Sequence, residues 1–203
     1  ICKIRVYDLP TGKTIQTVVL PKLFGEGISV INKKLYQLTW KEHKVFVYDY
    51  PSLNKAGEMT WPYEGWGMTT DGKNLIISTG SSNLYYVDPA DFKIVKTVNV
   101  SNNYGPLSNI NELEYVDGFI YANVWETDNI VKIDPNTHKV LWQLGGARNQ
   151  FTFINDPQNG FSGQHSVRVL PNGHFLLFDD GVSNTPGASR AVEYAVDESA
   201  KTA

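Results

Sequence analysis

The sequence has almost no cysteine, few histidines and few charged residues. Its one cysteine, Cys2, excludes an internal disulfide framework and any cysteine-based zinc site. The four histidines are scattered, and none has the spacing to a second ligand that a transition-metal site needs. Charged residues make up only 19% of the chain, and the net charge is -3. The sequence therefore does not predict a surface for nucleic acid or for an anionic membrane.

Long apolar runs are also missing, since no stretch reaches the roughly 18 residues of a membrane-spanning helix. What the chain has in abundance is aromatic side chains, at 12%, together with 17 glycines and 10 prolines. This composition favours short strands and tight turns over helices. Because 203 residues can bury one core, we expect a single all-β domain spanning residues 1–203.

A short motif recurs along the chain, in which a β-branched or aromatic run ends in an aspartate; we call it the aspartate motif. The aspartates are separated by 41, 39, 46 and 63 residues and are Asp8, Asp49, Asp88, Asp134 and Asp197. Before most of them lies a pair of short strands joined by a turn. These turns are Asn32-Lys33, Asp71-Gly72, Asp117-Gly118 and Asn172-Gly173. Asp-Gly and Asn-Gly favour type I′ hairpins, which need positive φ at both central residues.

These repeats predict a β-propeller made of four-stranded antiparallel blades. Three units look complete, the last shows three strands, and the first shows only two. We expect five blades with one incomplete, and a four-bladed ring with a spare strand stays open as an alternative. Closure would need strand pairing between residues 3–20 and 187–203, because propellers remove their edges by joining the chain ends in one blade.

The residues just before each innermost strand should converge at the mouth of the central channel. That layer includes Glu26, Trp66, Asn111, Gln164 and His165. Fourteen residues after Glu26 and Asn111 come Trp40 and Trp125. A glutamate in such an aromatic pocket should have a raised pKa, because desolvation disfavours its charged form. The alternative interpretation is that Glu26 is a solvated turn residue, that the tryptophans belong to the core and that His165 is structural.

These residues resemble those of the plant and bacterial type of glutaminyl-peptide cyclotransferase over about residues 3–140. The resemblance is carried by Phe24-Gly25-Glu26-Gly27, Leu35-Tyr36-Gln37-Leu38-Thr39-Trp40, Gly65-Trp66-Gly67-Met68, Asn111-Glu112-Leu113-Glu114-Tyr115 and Ala122-Asn123-Val124-Trp125-Glu126-Thr127-Asp128. It implies a five-bladed propeller that converts the N-terminal glutamine of a peptide to pyroglutamate and releases ammonia. It implies Glu26 as general acid and base, Asn111 as a hydrogen-bonding partner, and Phe24, Trp40, Trp66 and Trp125 as pocket walls.

The same resemblance implies no metal or other cofactor, and a peptide or protein with N-terminal glutamine as the partner. We expect a secreted or periplasmic monomer that binds neither nucleic acid nor a membrane. Gln164 and His165 are further candidates for substrate binding, because they open the innermost strand of the last unit.

From residue 141 to 203 the chain resembles a different family of propellers, the arylsulfotransferases. The resemblance is carried by Trp142-Gln143-Leu144-Gly145-Gly146, Gln164-His165, Leu170-Pro171-Asn172-Gly173 and Ser189-Arg190-Ala191-Val192-Glu193-Tyr194. It implies a chimera of blades from two families. Two alternatives to the cyclotransferase therefore stay open: a non-catalytic scaffold or peptide-binding module, and sulfuryl transfer through His165.

Overall fold

The chain folds into antiparallel sheets whose middle strands are apolar on both faces and are therefore buried. The computed structural model describes residues 2–20, 22–183 and 188–203. The chain starts with a two-stranded hairpin, β1 (Cys2–Tyr7) and β2 (Thr14–Leu20). Blade I contains β3 (Gly25–Ile31), β4 (Lys34–Thr39), β5 (Lys44–Asp49) and β6 (Lys55–Thr60). Blade II contains β7 (Met68–Thr70), β8 (Leu75–Ser78), β9 (Asn83–Val87) and β10 (Ile94–Asn99).

The second half of the chain repeats this order. A small hairpin, β11 (Ser101–Asn102) and β12 (Gly105–Pro106), leads into blade III. Blade III contains β13 (Ile110–Val116), β14 (Phe119–Val124), β15 (Asn129–Ile133) and β16 (Val140–Leu144), followed by a 3₁₀ turn, Gly146–Arg148. Blade IV contains β17 (His165–Val169), β18 (Phe175–Asp179) and β19 (Arg190–Tyr194). Every pairing within these sheets is antiparallel.

The hydrophobic core lies between neighbouring blades. In β8, for example, Leu75 and Ile77 pack toward blade I, whereas Ile76 packs toward blade III. Alternate side chains of a strand point to opposite faces, so a middle strand between two blades must be apolar on both. A third cluster joins blades III and IV, and a fourth packs the first hairpin against blade I. Burial between the blades therefore fixes their order around the channel.

Every copy of the aspartate motif forms the same type of turn. In all five copies the aspartate amide N–H donates to the carbonyl of the residue five positions later, at 2.8–3.0 Å. The residue four positions later has a positive φ in each copy, and these residues are Gly12, Leu53, Phe92, His138 and Lys201. A left-handed residue reverses the chain tightly enough for the next strand to pair.

The predicted type I′ turns occur at two of the four positions. Asn32 and Lys33 both have positive φ, as do Asp117 and Gly118. At Asp71 the turn differs, because its Oδ1 accepts the backbone N–H groups of Lys73 and Asn74 and only Gly72 has a positive φ. This is the aspartate-capped turn that competes with the I′ geometry.

The all-β propeller prediction is confirmed, but the count of five blades is wrong. The described residues hold four blades, of which blade IV has three strands, and two separate two-stranded hairpins, β1–β2 and β11–β12. The aspartate motif occurs five times because the β1–β2 hairpin carries one copy without the two inner strands that a blade needs.

The expected pairing of residues 3–20 with 187–203 is also wrong for the described residues; residue 187 lies outside them. β1 and β2 pair with each other, and β19 pairs with β18. Thr202 instead bridges Thr152, and the Ala203 amide donates to the Thr152 carbonyl at 3.0 Å. The end of the described chain is thus held by the loop before blade IV.

A buried ion cluster fastens that loop to blade IV. The Arg190 guanidinium forms a bidentate pair with Asp156, at 2.7 and 3.0 Å, and its Nε donates to Asp179 at 2.8 Å. The Asp156 and Asp179 side chains are 5% and 0% exposed. The Tyr194 hydroxyl donates to Asp156 at 2.6 Å. Burial opposes the ionised form of Asp156, but the hydrogen bonds from Arg190 and Tyr194 outweigh it and lower its pKa.

Candidate active site

Seven of the eight predicted site residues line one cavity at the channel mouth. Its volume is about 300 Å³. The lining residues are Phe24, Glu26, Trp40, Trp66, Asn111, Glu112, Trp125 and His165. They come from all four blades, so the cavity exists only when the blades are assembled. Most of the residues that lie just before the innermost strands therefore converge at the channel mouth, as expected.

Backbone irregularities in the innermost strands place these side chains. β3, β13 and β17 each contain a register shift, at 25–28, 110–113 and 165–168. A β-bulge turns a side chain away from the regular alternation of a strand. Glu26, Asn111 and Glu112 lie within these shifts, and His165 borders the third. The same irregularity in three blades thus aims three sets of polar side chains at one cavity.

Two glycines allow the innermost strands to approach closely. The Gly27 amide donates to the Trp66 carbonyl at 2.8 Å, and a Cβ at Gly27 would clash with the backbone of Met68. A Cβ at Gly67 would clash with the carbonyl of Asn111. Close backbone approach is a common reason for glycine within a strand.

Ser78 holds β13, the innermost strand of blade III, against blade II. Its hydroxyl accepts the Gly67 amide N–H and donates to the Asn111 carbonyl, both at 2.8 Å. One buried side chain therefore joins blade II to the Asn111 backbone and fixes where the Asn111 side chain begins.

Glu26 is half-buried among aromatic rings. Its pKa is raised to about 7, mainly by burial and also by the negative charge of Glu112, while the positive charge of His165 acts in the opposite direction. A carboxyl group with this pKa can exchange protons near neutral pH in either direction.

His165 and Glu112 form a pair on the opposite side of the cavity. The His165 Nδ1 lies 2.7 Å from Glu112 Oε1, and its Nε2 lies 3.8 Å from Asp180 Oδ2. The hydrogen bond with Glu112 raises the pKa of His165, although burial opposes this. The paired histidine is therefore biased toward its protonated, doubly donating form.

Exposed aromatic rings form the walls of the cavity. Phe24 and Trp125 are 57% and 47% exposed, which is unusual for such large apolar side chains. Trp125 packs edge-on against Trp66, with ring centroids 5.4 Å apart, and Phe24 lies 5.8 Å from Trp40. By contrast, Trp61 and Trp142 belong to the core.

Sequence reasoning missed Glu64, which holds two of the walls in place. One oxygen of Glu64 accepts the indole N–H of Trp40 at 3.0 Å and that of Trp66 at 3.1 Å. Lys41 lies 3.8 Å from the other oxygen and 4.0 Å from the centroid of the Trp40 ring. The one signal in the sequence is that Glu64 stands two residues before Trp66.

Gln164 does not line this cavity. Its Nε2 donates to the carbonyls of Thr127 and Asn129, at 3.2 and 2.8 Å, and the residue lines an adjoining cavity. Its role in substrate binding stays a prediction.

Two features are absent from the described residues 2–20, 22–183 and 188–203. In those ranges, no group of three or more histidine, cysteine or carboxylate side chains is placed to hold a metal ion. In those ranges, no helix has the length and apolar character that a bilayer crossing requires.

Two sequence comparisons with known proteins point to the same family over most of the chain. Residues 2–159 match the model of a family described as glutamine cyclotransferase. A glutaminyl-peptide cyclotransferase of Arabidopsis thaliana is 37% identical over 147 residues, which are 70% of this chain and 45% of that protein. The chain thus spans less than half the length of this curated relative.

Solved structures give the same architecture. Myxococcus xanthus glutaminyl cyclase superposes with a TM-score of 0.72 and 25% identity, covering 95% of this chain and 83% of that one. Hydrazine synthase of Kuenenia stuttgartiensis has a TM-score of 0.56 and 14% identity over 96% of this chain and 60% of its own, and shares the fold alone.

Proposed function

The chain belongs to the glutamine cyclotransferase family, and from that premise we propose that it converts the N-terminal glutamine of a peptide to pyroglutamate. The observation that carries this proposal is the joint placement of Glu26, Asn111 and the aromatic walls in one cavity. The partner is a peptide or protein with N-terminal glutamine, bound by a single chain. Secretion or export to a periplasm stays part of the proposal.

The reaction moves one proton from the attacking to the leaving nitrogen. The α-amine nitrogen forms a bond to the carbon of the γ-carboxamide, and the bond from that carbon to the amide nitrogen breaks, which releases ammonia. Glu26 accepts a proton from the α-amine and returns it to the departing nitrogen, so it ends as it began. Its pKa of about 7 lies close to the 7.7–8.0 that is usual for an α-amine, so neither transfer is strongly uphill.

Asn111 and His165 supply polar contacts for the substrate. The backbone of Asn111 is fixed by Ser78, so its side-chain amide can orient the amine or stabilise the oxygen of the tetrahedral intermediate. His165 uses Nδ1 for Glu112 and keeps Nε2 for a carbonyl oxygen of the peptide. Asn111 thus acts on the reacting groups, whereas His165 helps to hold the peptide.

The aromatic walls favour the folded conformation that cyclisation requires. A flexible glutamine side chain must bring its carbonyl carbon against its own α-nitrogen, and a rigid pocket limits the other conformations. Trp40, Trp66 and Trp125 also reduce the water around Glu26, which is the physical cause of its raised pKa.

Sulfuryl transfer through His165 is not favoured. Glu112 and Asp180 flank both ring nitrogens of His165, and their negative charge repels an incoming sulfate group. A non-catalytic scaffold or peptide-binding module is not favoured either, because the matched family and the matched relative are cyclotransferases. The division at residue 140 and the arylsulfotransferase-like origin of residues 141–203 stay predictions.

The function is tested by ammonia release from a glutamine-initiated peptide across a range of pH. Activity should rise as pH increases through about 7, because Glu26 must be ionised to accept a proton. In Glu112→Gln the rise should move to lower pH, since the charge that raises the Glu26 pKa is gone. The substrate amine titrates identically in both proteins, so the difference between the two profiles reports on the two groups beside Glu112, which are Glu26 and His165. The absence of ammonia release from well-folded protein would refute the proposed function.

Glu64 is expected to act as a positioning residue. Glu64→Ala removes the acceptor shared by Trp40 and Trp66, and we expect KM to rise roughly tenfold with a smaller change in kcat, because charge-assisted hydrogen bonds are worth about 1.5–3 kcal/mol. Tryptophan fluorescence should shift to longer wavelength as the rings loosen. Glu64→Gln keeps an acceptor oxygen and should recover most of both properties. An unchanged KM together with an unchanged spectrum would contradict this role.

A further inference from the structure

A second cavity adjoins the first one and continues it toward blade IV. Its volume is about 380 Å³, and it shares Asn111, Glu112, Trp125 and His165 with the first cavity. The two are therefore neighbouring parts of one surface depression. A peptide with its first residue in the first cavity can place the next side chain in the second, because adjacent Cα atoms are about 3.8 Å apart.

The lining of the second cavity is acidic. Four carboxylates border it, those of Glu112, Glu126, Asp128 and Asp180. No lysine or arginine is present among the described residues that line it. Among the lining residues that the structure describes, the one basic group is His165, which is already paired with Glu112. The local potential therefore attracts a cation.

Gln164 adds an unsatisfied acceptor to this acidic lining. The residue is only 5% exposed, and both bonds of its Nε2 go to backbone carbonyls. Its Oε1 has no hydrogen-bond partner among the described residues. A buried acceptor without a donor is costly, so the site suits a ligand that brings N–H groups.

Trp125 supplies an aromatic surface between the two cavities. Its ring lines both and is 47% exposed. An ammonium or guanidinium group beside a tryptophan ring gains a cation–π interaction. Carboxylates, a carbonyl oxygen and a tryptophan ring are together the complement of a lysine or arginine side chain, which has donors and no acceptor.

We propose that the second cavity binds the side chain of the residue that follows the N-terminal glutamine, and that it selects lysine or arginine at this position. The inference rests on the proposed function and names the substrate class of that same site. Much of the cavity comes from Gly163, Gln164, His165 and Asp180, which lie beyond residue 159, where the family match ends. Glu112, Trp125, Glu126 and Asp128 lie within the matched segment, so the preference depends on residues from both parts of the chain.

The first experiment compares ammonia release from three C-terminally amidated tripeptides, with lysine, alanine or glutamate after the glutamine. We expect kcat/KM for the lysine peptide to exceed that for the glutamate peptide about tenfold at low ionic strength, and the ratio to fall in about 0.5 M salt. The double variant Glu126→Gln, Asp180→Asn should lower the ratio several-fold. The control Glu58→Gln removes an exposed carboxylate from β6 and should leave the ratio unchanged. Equal kcat/KM values for the three peptides would overturn the lysine preference while the proposed function stands.

A second measurement separates this inference from the function. Calorimetry compares binding of pyroglutamyl-lysine amide with that of pyroglutamyl-glutamate amide, which needs no turnover. Tighter binding of the lysine compound supports the acidic subsite even if no peptide releases ammonia. Equal binding, or binding of neither compound, overturns it.

Discussion

Glu26→Gln is expected to lower the rate of ammonia release by about 10²–10⁴-fold, the range that a positioned acid–base group contributes. Glutamine has nearly the same shape and polarity, so the cavity and its aromatic walls should persist. What is lost is a group that can take a proton from the α-amine and deliver it to ammonia. KM should change little, because the pocket walls and Asn111 still contact the substrate.

The same substitution has a stability signature with a defined sign. The pKa of Glu26 is raised from 4.5 to about 7 in the folded protein. The folded state therefore holds the proton more tightly, and this contribution is present below pH 4.5 and is lost as pH rises through about 7. Above that pH the fold carries the cost of a half-buried charge, which Glu26→Gln removes.

Thermal unfolding at pH 5 and pH 8 measures this second effect. Glu26→Gln should gain stability relative to the parent protein between the two, by about 1–2 kcal/mol after allowing for partial solvent exposure. Glu58→Gln, whose carboxylate lies on the surface, serves as the control and should show no such gain. Activity within threefold of the parent protein would rule out Glu26 as the acid–base group.

Arg190→Met is expected to cost about 3–5 kcal/mol of stability, the usual effect of removing one partner from a buried ion pair. Asp156 and Asp179 would be left buried and ionised without their cation. The methionine side chain fills similar space, so the loss reports on charge and hydrogen bonds and not on a cavity.

Urea unfolding measures the cost of the Arg190 substitution. Arg190→Lys keeps the charge but cannot reproduce the bidentate pair with Asp156 and the bond to Asp179 together, so it should give an intermediate loss. The loop held by this cluster leads into His165 at the start of β17, so ammonia release should fall with stability. A loss below about 1 kcal/mol for Arg190→Met would mean that the buried carboxylates become neutral or solvated at little cost.

The parts of the fold that the sequence predicted are those encoded locally. The aspartate motif predicted five turns because a strand, a turn and a second strand are contiguous in the chain. Trp40 and Trp125 were predicted to share a layer because each stands fourteen residues after a polar residue of an innermost strand. In the structure each directly follows the second strand of its blade, after β4 and after β14.

The parts that escaped prediction depend on contacts between distant residues. Glu112 and His165 are 53 residues apart and meet only because blades III and IV are neighbours. The partners of Glu64 lie on two sides of it, and no repeat of this glutamate occurs in the other units. The predicted number of blades was wrong because the aspartate motif marks the outer strands of a unit and carries no information on the inner ones.

The distribution of the site over four blades separates two kinds of evolutionary change. Glu26, Trp66 and Asn111 stand on blades I to III, whereas Asp180, Gln164 and much of the second cavity stand on or beside blade IV. The backbone contacts through Gly27 and Gly67 join only the first three innermost strands. Blade IV can therefore diverge, or be exchanged for a foreign blade, without breaking these backbone contacts, provided that it keeps a histidine at the place of His165, whose charge lowers the pKa of Glu26. Changes on blade IV then alter mainly the choice of substrate, whereas the backbone positions of Glu26 and Asn111 stay fixed by blades I to III.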